Sequence, residues 1–357
     1  MKSDSFIFSK RSSLSHQTAW IAPSNIALVK YWGKHGLQLP KNPSISFTLS
    51  NCVTTTAVSF SPNQKKEEPT FEFYFDKMEA PDFHPKIDQF LARIVSYFPA
   101  LQEHHLKISS HNSFPHSSGI ASSASAMAAL ALCIVDLERQ LHPELNEEDF
   151  FKKASFLARL GSGSAARSLK GPLTLWGKTS AFSDSSDLYA IPVEAHVHSD
   201  FKNYCDTILI VDKGQKKVSS SKGHQLMLGH PYADKRFEQA NRHCVALKSV
   251  LENGDLEQFI EITESEALSL HAMMMTSSPR YLLMQPNTLQ IINKIWDYRV
   301  TTNIPLSFTL DAGANVHLLY PAVERDKVIE FIKSELIGYC QSGQFIEDQV
   351  GLGAKKM

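Results

Sequence analysis

The chain has 357 residues, with 36 Lys and Arg against 37 Asp and Glu, which leaves a formal net charge of −1. Hydrophobic residues make up 43% and charged residues 20%, which excludes a disordered tail protein, poorer in apolar residues and more heavily charged. With no global positive field to gather phosphates, a nucleic-acid binder held by bulk electrostatics is excluded as well.

The length predicts two domains or lobes. Residues 1–17 are rich in Ser and Lys and read as a flexible, loosely held extension. Phe6-Ile7-Phe8 is interrupted at once by polar residues, so no run of signal-peptide length is expected, nor any membrane partner. Cys52, Cys133, Cys205, Cys244 and Cys340 are odd in number and form no C-x-x-C pair. They read as reduced, buried thiols, and a cytoplasmic location is the expectation.

Residues 54–60 and 71–75 are β-branched and aromatic runs separated by a polar stretch, which predicts a hairpin. Ile87, Phe90, Leu91, Ile94 and Val95 mark one face of a helix over 86–97. His104 and His105 lack metal-ligand spacing and read as surface. A buried helix starts near Ser122, and Asn146 caps another that runs to Gly161. The pattern then begins again, with a strand at 207–212 and helices at 233–251, 256–271 and 288–296. Residues 307–321 read as strand, tight turn and strand, with Gly313 supplying the turn, and a last helix follows over 323–336. His271 with Met273, Met274 and Met275 reads as a helix end packed into the core rather than a cleft lining. Strands and helices mix without regular alternation, which predicts an α+β protein with a lobe boundary near 195–196.

Four segments carry chemistry. In 111–131, Pro115, Ser118, Gly119, Ser122 and Ser123 precede the long apolar helix. A glycine loop, serine hydroxyls and the unpaired N–H groups of a helix start together suit a polyphosphate, against the plainer reading of an ordinary N-cap. In 22–50, Lys30 and Lys34 bracket Tyr31-Trp32-Gly33. Two lysines one helical turn apart repel unless an anion sits between them, and an exposed basic pair is the alternative. In 158–177, Gly161-Ser162-Gly163-Ser164 breaks a helix ahead of Arg167, whose planar fork suits carboxylate or phosphate. In 310–315, Asp311 sits where a strand turns, flanked by small residues; an ordinary turn aspartate is the competing reading.

In this order the four segments resemble the GHMP kinase superfamily, and within it the mevalonate diphosphate decarboxylase branch. The likeness rests on NIALVKYWGK (25–34) with SISFTLS (44–50), on Pro115 to Ser123, on Gly161 to Ser168 and on Asp311 to Asn315. Ile120, Ala166 and Ala314 stand where Leu, Cys and Pro are usual, and Ser221-Lys222 where some bacterial members carry Arg. The resemblance implies two lobes, 18–195 like ribosomal protein S5 and 196–357 ferredoxin-like, with a cleft between them.

The reaction it implies is ATP-dependent decarboxylation of mevalonate 5-diphosphate, with ATP and Mg²⁺ as cofactors and a homodimeric state. Asp311 would face the C3 hydroxyl, as general base or as orienting carboxylate, with Lys30 beside it and Arg167 on the departing carboxylate. Tyr31, Lys34, Ser162 and Ser164 would grip the substrate together with Arg167. Pro115, Ser118, Gly119, Ser122 and Ser123 would hold ATP, and Mg²⁺ would be held by its phosphates and Ser122 or Ser123. A helix arginine used by some members has Arg93 as its candidate here. The alternatives are a decarboxylase of mevalonate 5-phosphate, a mevalonate 3-kinase, and a silent ligand-binding relative.

Overall fold

Strands β1 (His16–Ala27) and β2 (Ser44–Pro62) pair antiparallel along almost their whole length, with one irregularity between Pro23 and Asn25. The computed structural model describes residues 3–63, 68–115, 120–193, 197–214 and 218–357. The two strands lie inside a large sheet that continues through β3 (Thr70–Phe75), β4 (His104–Asn112) and β5 (Leu173–Trp176). The runs expected to form a hairpin do not pair with each other. Strand β4 lies between them, antiparallel to β2 and parallel to β3. Its inward face includes His104 and Ser110, so polar residues disguise the alternation of a half-buried strand.

His104 is a correction too. It is fully buried, and its Nδ1 lies 2.8 Å from the carbonyl of Ala100. The opening segment is fastened at Phe6, which is buried and stacks on Phe156 with ring centroids 4.3 Å apart.

Helices α1 (His84–Ile94), α2 (Ser122–Leu141) and α3 (Glu147–Gly161) share the first core with this sheet. Helix α2 buries Ala, Leu, Ile and Val side chains all around its middle, as its unbroken apolar run requires. Asn146 caps α3 by accepting the N–H of Asp149 at 2.9 Å.

The second lobe has a four-stranded antiparallel sheet built from β6 (Cys205–Leu209), β7 (Ser307–Thr309), β8 (Val316–Tyr320) and β9 (Phe345–Gln349), in the order β7-β8-β6-β9. Against it pack α5 (Ala233–Asn253), α6 (Leu256–Met275), α7 (Pro286–Thr302) and α8 (Arg325–Phe331), the last continuing into a wider turn over Ile332–Leu336, while the short α4 (Ser220–Gln225) lies against Tyr31 and Trp32. The lobes are not separate globules. One core cluster joins Leu28, Ile45 and Phe47 of the first to Tyr204, Leu247 and Phe259 of the second. The chain also returns to the first lobe at its end, where β10 (Lys355–Lys356) pairs with β1. The expected division at 195–196 falls outside the described residues.

All five cysteines are buried and unpaired. Among the described residues no helix is long and apolar enough to cross a membrane.

Candidate active site

Beyond β1 the chain turns into the cleft between the lobes. The N–H groups of Leu28 and Val29 still bond Ile45, and Ser44 Oγ donates to the carbonyl of Val29. Lys30 follows with its backbone held at both ends. Its N–H donates to Glu266 Oε2 at 2.8 Å, and its carbonyl accepts from Asn42 Nδ2 at 3.0 Å. Its side chain is almost fully buried and places Nζ 3.1 Å from Asp311 Oδ1, across the cleft.

Burial pulls the ammonium below its ordinary pKa, and Asp311 and Glu266 oppose that pull. A desolvated ammonium therefore depends on its carboxylate partner.

Asp311 stands just beyond β7, in the loop to β8. The turn does not depend on Gly313 in a left-handed conformation; the N–H of Gly313 donates to the carbonyl of Asp311 at 2.7 Å. The loop is shaped by its neighbours instead. Asn315 Oδ1 accepts the N–H groups of Val211 and Asp212, and Thr288 Oγ1 donates to the carbonyl of Ala314. His271 Nε2 lies 3.1 Å from the carbonyl of Asp311. His271, Met273 and Met274 are buried as expected for a packed helix end, whereas Met275 is exposed.

Arg167 closes a short helical turn, Gly163–Arg167, directly after α3. It is buried, and its Nη1 donates to Ser44 Oγ. Burial lowers its pKa to about 10, with Asp311 and Tyr31 pulling the other way; the guanidinium stays charged near neutral pH. Asn25 Nδ2 ties this turn to β1 through the carbonyl of Ser164 and the hydroxyl of Ser168, at 3.2 and 2.7 Å. Two polar atoms on the cleft wall are buried with no hydrogen bond to the described residues, the hydroxyl of Tyr31 and Nε of Arg167. Orphaned buried donors cost about 1–3 kcal/mol each, so a ligand that satisfies them recovers that cost.

Helix α2 starts at the same cleft. Ala121, just ahead of it, has φ +47°, a left-handed conformation that costs a non-glycine residue about 1–2 kcal/mol. Ser123 Oγ lies 3.4 Å from Ser162 Oγ, which joins the helix start to the glycine-serine turn. Gly163 is there because nothing larger fits. A Cβ on it would lie 2.7 Å from the Tyr31 hydroxyl and 3.0 Å from the Trp176 ring. Gly163→Ala is expected to displace Tyr31, costing about 1–3 kcal/mol as overpacking does, with a raised KM for the substrate; thermal unfolding and steady-state kinetics check it.

The cleft has a volume of about 480 Å³. Lys30, Tyr31, Lys34, Ser122, Ser123, Ser162, Ser164, Arg167 and Asp311 all line it. Pro115 is exposed and is not among the lining residues; Ser118 and Gly119 lie outside the described residues. Arg93 is not in the lining and donates to the carbonyl of Leu160 at 2.8 Å.

The chain matches the family description "Diphosphomevalonate decarboxylase-like N-terminal domain" over residues 22–188 and "Mevalonate 5-diphosphate decarboxylase C-terminal domain" over 207–354. It belongs to the mevalonate diphosphate decarboxylase family. Diphosphomevalonate decarboxylase of Candida albicans is 30% identical over 322 residues, 87% of this chain and 86% of that one. Among solved structures, the Staphylococcus aureus mevalonate diphosphate decarboxylase is 26% identical, with a TM-score of 0.82 over 96% of this chain and 98% of that one. A complex of MDDEF with MVAPP, AMPPCP and magnesium is 27% identical, with a TM-score of 0.81 over 96% of this chain and 99% of that one.

Set against this family, the cleft holds lining residues that the motifs did not single out. Lys86, on the exposed face of α1, stands on its wall. Lys30, Lys34, Lys86 and Arg167 thus face a single lining carboxylate, Asp311, among the described residues. Such an excess of positive charge within one enclosed space is self-repelling until an anion enters. Helix spacing alone places Lys86 on a solvated face, so only the packed fold reveals it. Asn25, Gln38 and His224 also line the cleft.

Proposed function

We propose that the chain catalyses the ATP-dependent decarboxylation of mevalonate 5-diphosphate to isopentenyl diphosphate, releasing ADP, phosphate and carbon dioxide. The observation that carries this is the Lys30–Asp311 contact of 3.1 Å, in the cleft that Arg167 and the start of α2 also line.

A tertiary alcohol is a crowded nucleophile, and the family's chemistry depends on positioning and charge rather than on a covalent enzyme intermediate. Asp311 faces the C3 hydroxyl. Whether it accepts the proton or orients the oxygen, it must be ionised, and Lys30 favours that form. The C3 oxygen takes the γ-phosphoryl group and ADP is released. The C3–O bond then breaks, with phosphate taking the electron pair. The electrons of the C1–C2 bond become the C2=C3 double bond as carbon dioxide leaves. Arg167 holds the carboxylate in line with that bond through its unpartnered Nε face.

Tyr31, Lys34, Ser162 and Ser164, with Lys86, hold the diphosphate of the substrate. Ser122 and Ser123 present hydroxyls and helix-start N–H groups to the ATP phosphates, and Pro115, Ser118 and Gly119 belong to the same reading by motif match alone. ATP is the co-substrate, and Mg²⁺ accompanies it. Among the described residues no group of three His, Cys, Asp or Glu side chains forms a metal cage. The hydroxyls of Ser122 and Ser123 are oxygen donors on the cleft wall and would suit a hard cation that takes most of its ligands from phosphate and water. When bound, that ion would neutralise charge on the ATP phosphates. A homodimeric, cytoplasmic enzyme belongs to the same reading, and the five buried thiols fit a reducing compartment.

The test measures ADP and carbon dioxide release with mevalonate 5-diphosphate and with mevalonate 5-phosphate. Both products are expected, in equal amounts, from the diphosphate. Carbon dioxide from the monophosphate alone assigns the shorter substrate instead, and ADP without carbon dioxide makes the chain a kinase.

A further inference from the structure

His224, on α4, is fixed in one tautomer by the backbone opposite it. Its Nδ1 lies 3.0 Å from the N–H of Gly33. An amide N–H can only donate, so Nδ1 must accept and the ring proton of the neutral imidazole must sit on Nε2. The ring is clamped as well, with its centroid 4.3 Å from that of Tyr31 and 4.6 Å from that of Trp32. Gly223, the residue before it, is seated so tightly that a Cβ would lie 2.5 Å from the Trp32 ring and 2.8 Å from the Tyr281 hydroxyl. Gly33 itself has φ +98°, and a Cβ there would meet the Phe237 ring at 2.7 Å. Both partners of the Nδ1 contact are therefore held by packing, and the contact does not depend on a flexible side chain.

The residue is buried, lines the cleft, and makes no hydrogen bond through Nε2 to the described residues. Burial, with the charges of Lys34 and Arg167, lowers the imidazole pKa to about 3, so the ring is neutral near physiological pH. A neutral donor held by its far nitrogen costs nothing to orient and adds no repulsion to a cleft already crowded with cations. Gly33 directly precedes Lys34, which places the donor at the phosphate-gripping end of the segment.

We propose that His224 donates its Nε2–H to a phosphate oxygen of the bound diphosphate substrate, as a binding residue that the motif residues do not include. This rests on the function proposed above in one respect only, the identity of the substrate.

Two amide replacements separate the donor from the scaffold. Asparagine can place its amide oxygen where Nδ1 lies and keep the Gly33 contact, but it cannot reach the position of Nε2. Glutamine can place its amide N–H near Nε2 but abandons Gly33. His224→Asn is expected to raise KM for mevalonate 5-diphosphate, and Kd for inorganic diphosphate, by about 10- to 100-fold, as loss of a hydrogen bond to a charged group does. Loss of uniform binding leaves kcat nearly unchanged. His224→Gln is expected to recover a large part of that affinity while unfolding at a lower temperature.

Wild-type affinity in the asparagine variant, or an equal loss in both variants, overturns the assignment and leaves His224 a scaffold residue. The unmodified protein supplies an independent check through ¹⁵N-labelled histidine. The Nε2–H signal of His224 is expected to shift on addition of inorganic diphosphate; a proton found on Nδ1, or no shift on binding, overturns the proposal. Failure of the wild-type chain to turn over mevalonate 5-diphosphate would instead count against the proposed substrate, while the inorganic diphosphate measurements still decide the role of His224.

Discussion

Asp311→Asn is expected to cut turnover about 10²- to 10⁴-fold, the range that a positioned acid–base group supplies, while leaving ATP binding nearly intact. The asparagine fills the same volume, and its amide oxygen can still accept from Lys30, whose Nζ lies 3.1 Å from the carboxylate now. What disappears is the negative charge. A neutral amide cannot take the proton of a tertiary alcohol, so the loss falls on kcat. Ser122 and Ser123, proposed to hold ATP, belong to the first lobe, whereas Asp311 comes from the second. Nucleotide affinity is therefore the control, measured by titration with a non-hydrolysable ATP analogue. The variant also leaves a buried ammonium with one carboxylate fewer, and burial then pushes the pKa of Lys30 further down than it already is. Turnover within a few-fold of wild type would remove Asp311 from the chemistry.

The candidate site residues are legible because each sits in a segment whose composition has a physical reason. Lys30 and Lys34 are paired across Tyr31-Trp32-Gly33, Arg167 follows a glycine-serine break, and Asp311 follows a strand. The cleft brings all of them to one place. Less visible was everything that depends on pairing between distant parts of the chain. Strand β4 reads as polar because its buried positions include His104 and Ser110, and its insertion between β2 and β3 has no local signal. Lys86 lies on the exposed side of α1, where helical periodicity assigns it to solvent. Only the approach of α1 to the cleft turns that face into a wall. His224 lies in a stretch of Ser, Lys and Gly that carries no helix periodicity, and its role is set by Gly33, 191 positions earlier in the chain.

Glu266 was hidden for the same reason, and it carries the largest stability effect expected here. Its carboxylate is fully buried on α6 and serves both lobes. It accepts the backbone N–H of Lys30 at 2.8 Å, two bonds from Arg236, and a contact with His243 Nδ1 at 2.7 Å. Burial alone would raise its pKa, but Arg236, His243 and the Lys30 N–H outweigh burial and hold it below the ordinary value. Glu266→Gln keeps the shape and an acceptor for Lys30 but strands the Arg236 guanidinium, itself 3% exposed, without a counter-charge. Removing one partner of a buried pair costs about 3–5 kcal/mol. Glu238→Gln, which breaks the exposed pair with Lys235, is the control, and no measurable change is expected there. Because the folded-state pKa of Glu266 is depressed, its contribution is fully present above the unfolded carboxyl value. That contribution is lost as pH falls through the folded value. The gap in unfolding free energy between wild type and Glu266→Gln, measured by denaturant titration, is therefore expected to be constant near neutral pH and to close in acid. A gap that stays open at low pH, or one no larger than that of Glu238→Gln, would mean that the carboxylate does not hold Lys30 and Arg236 together.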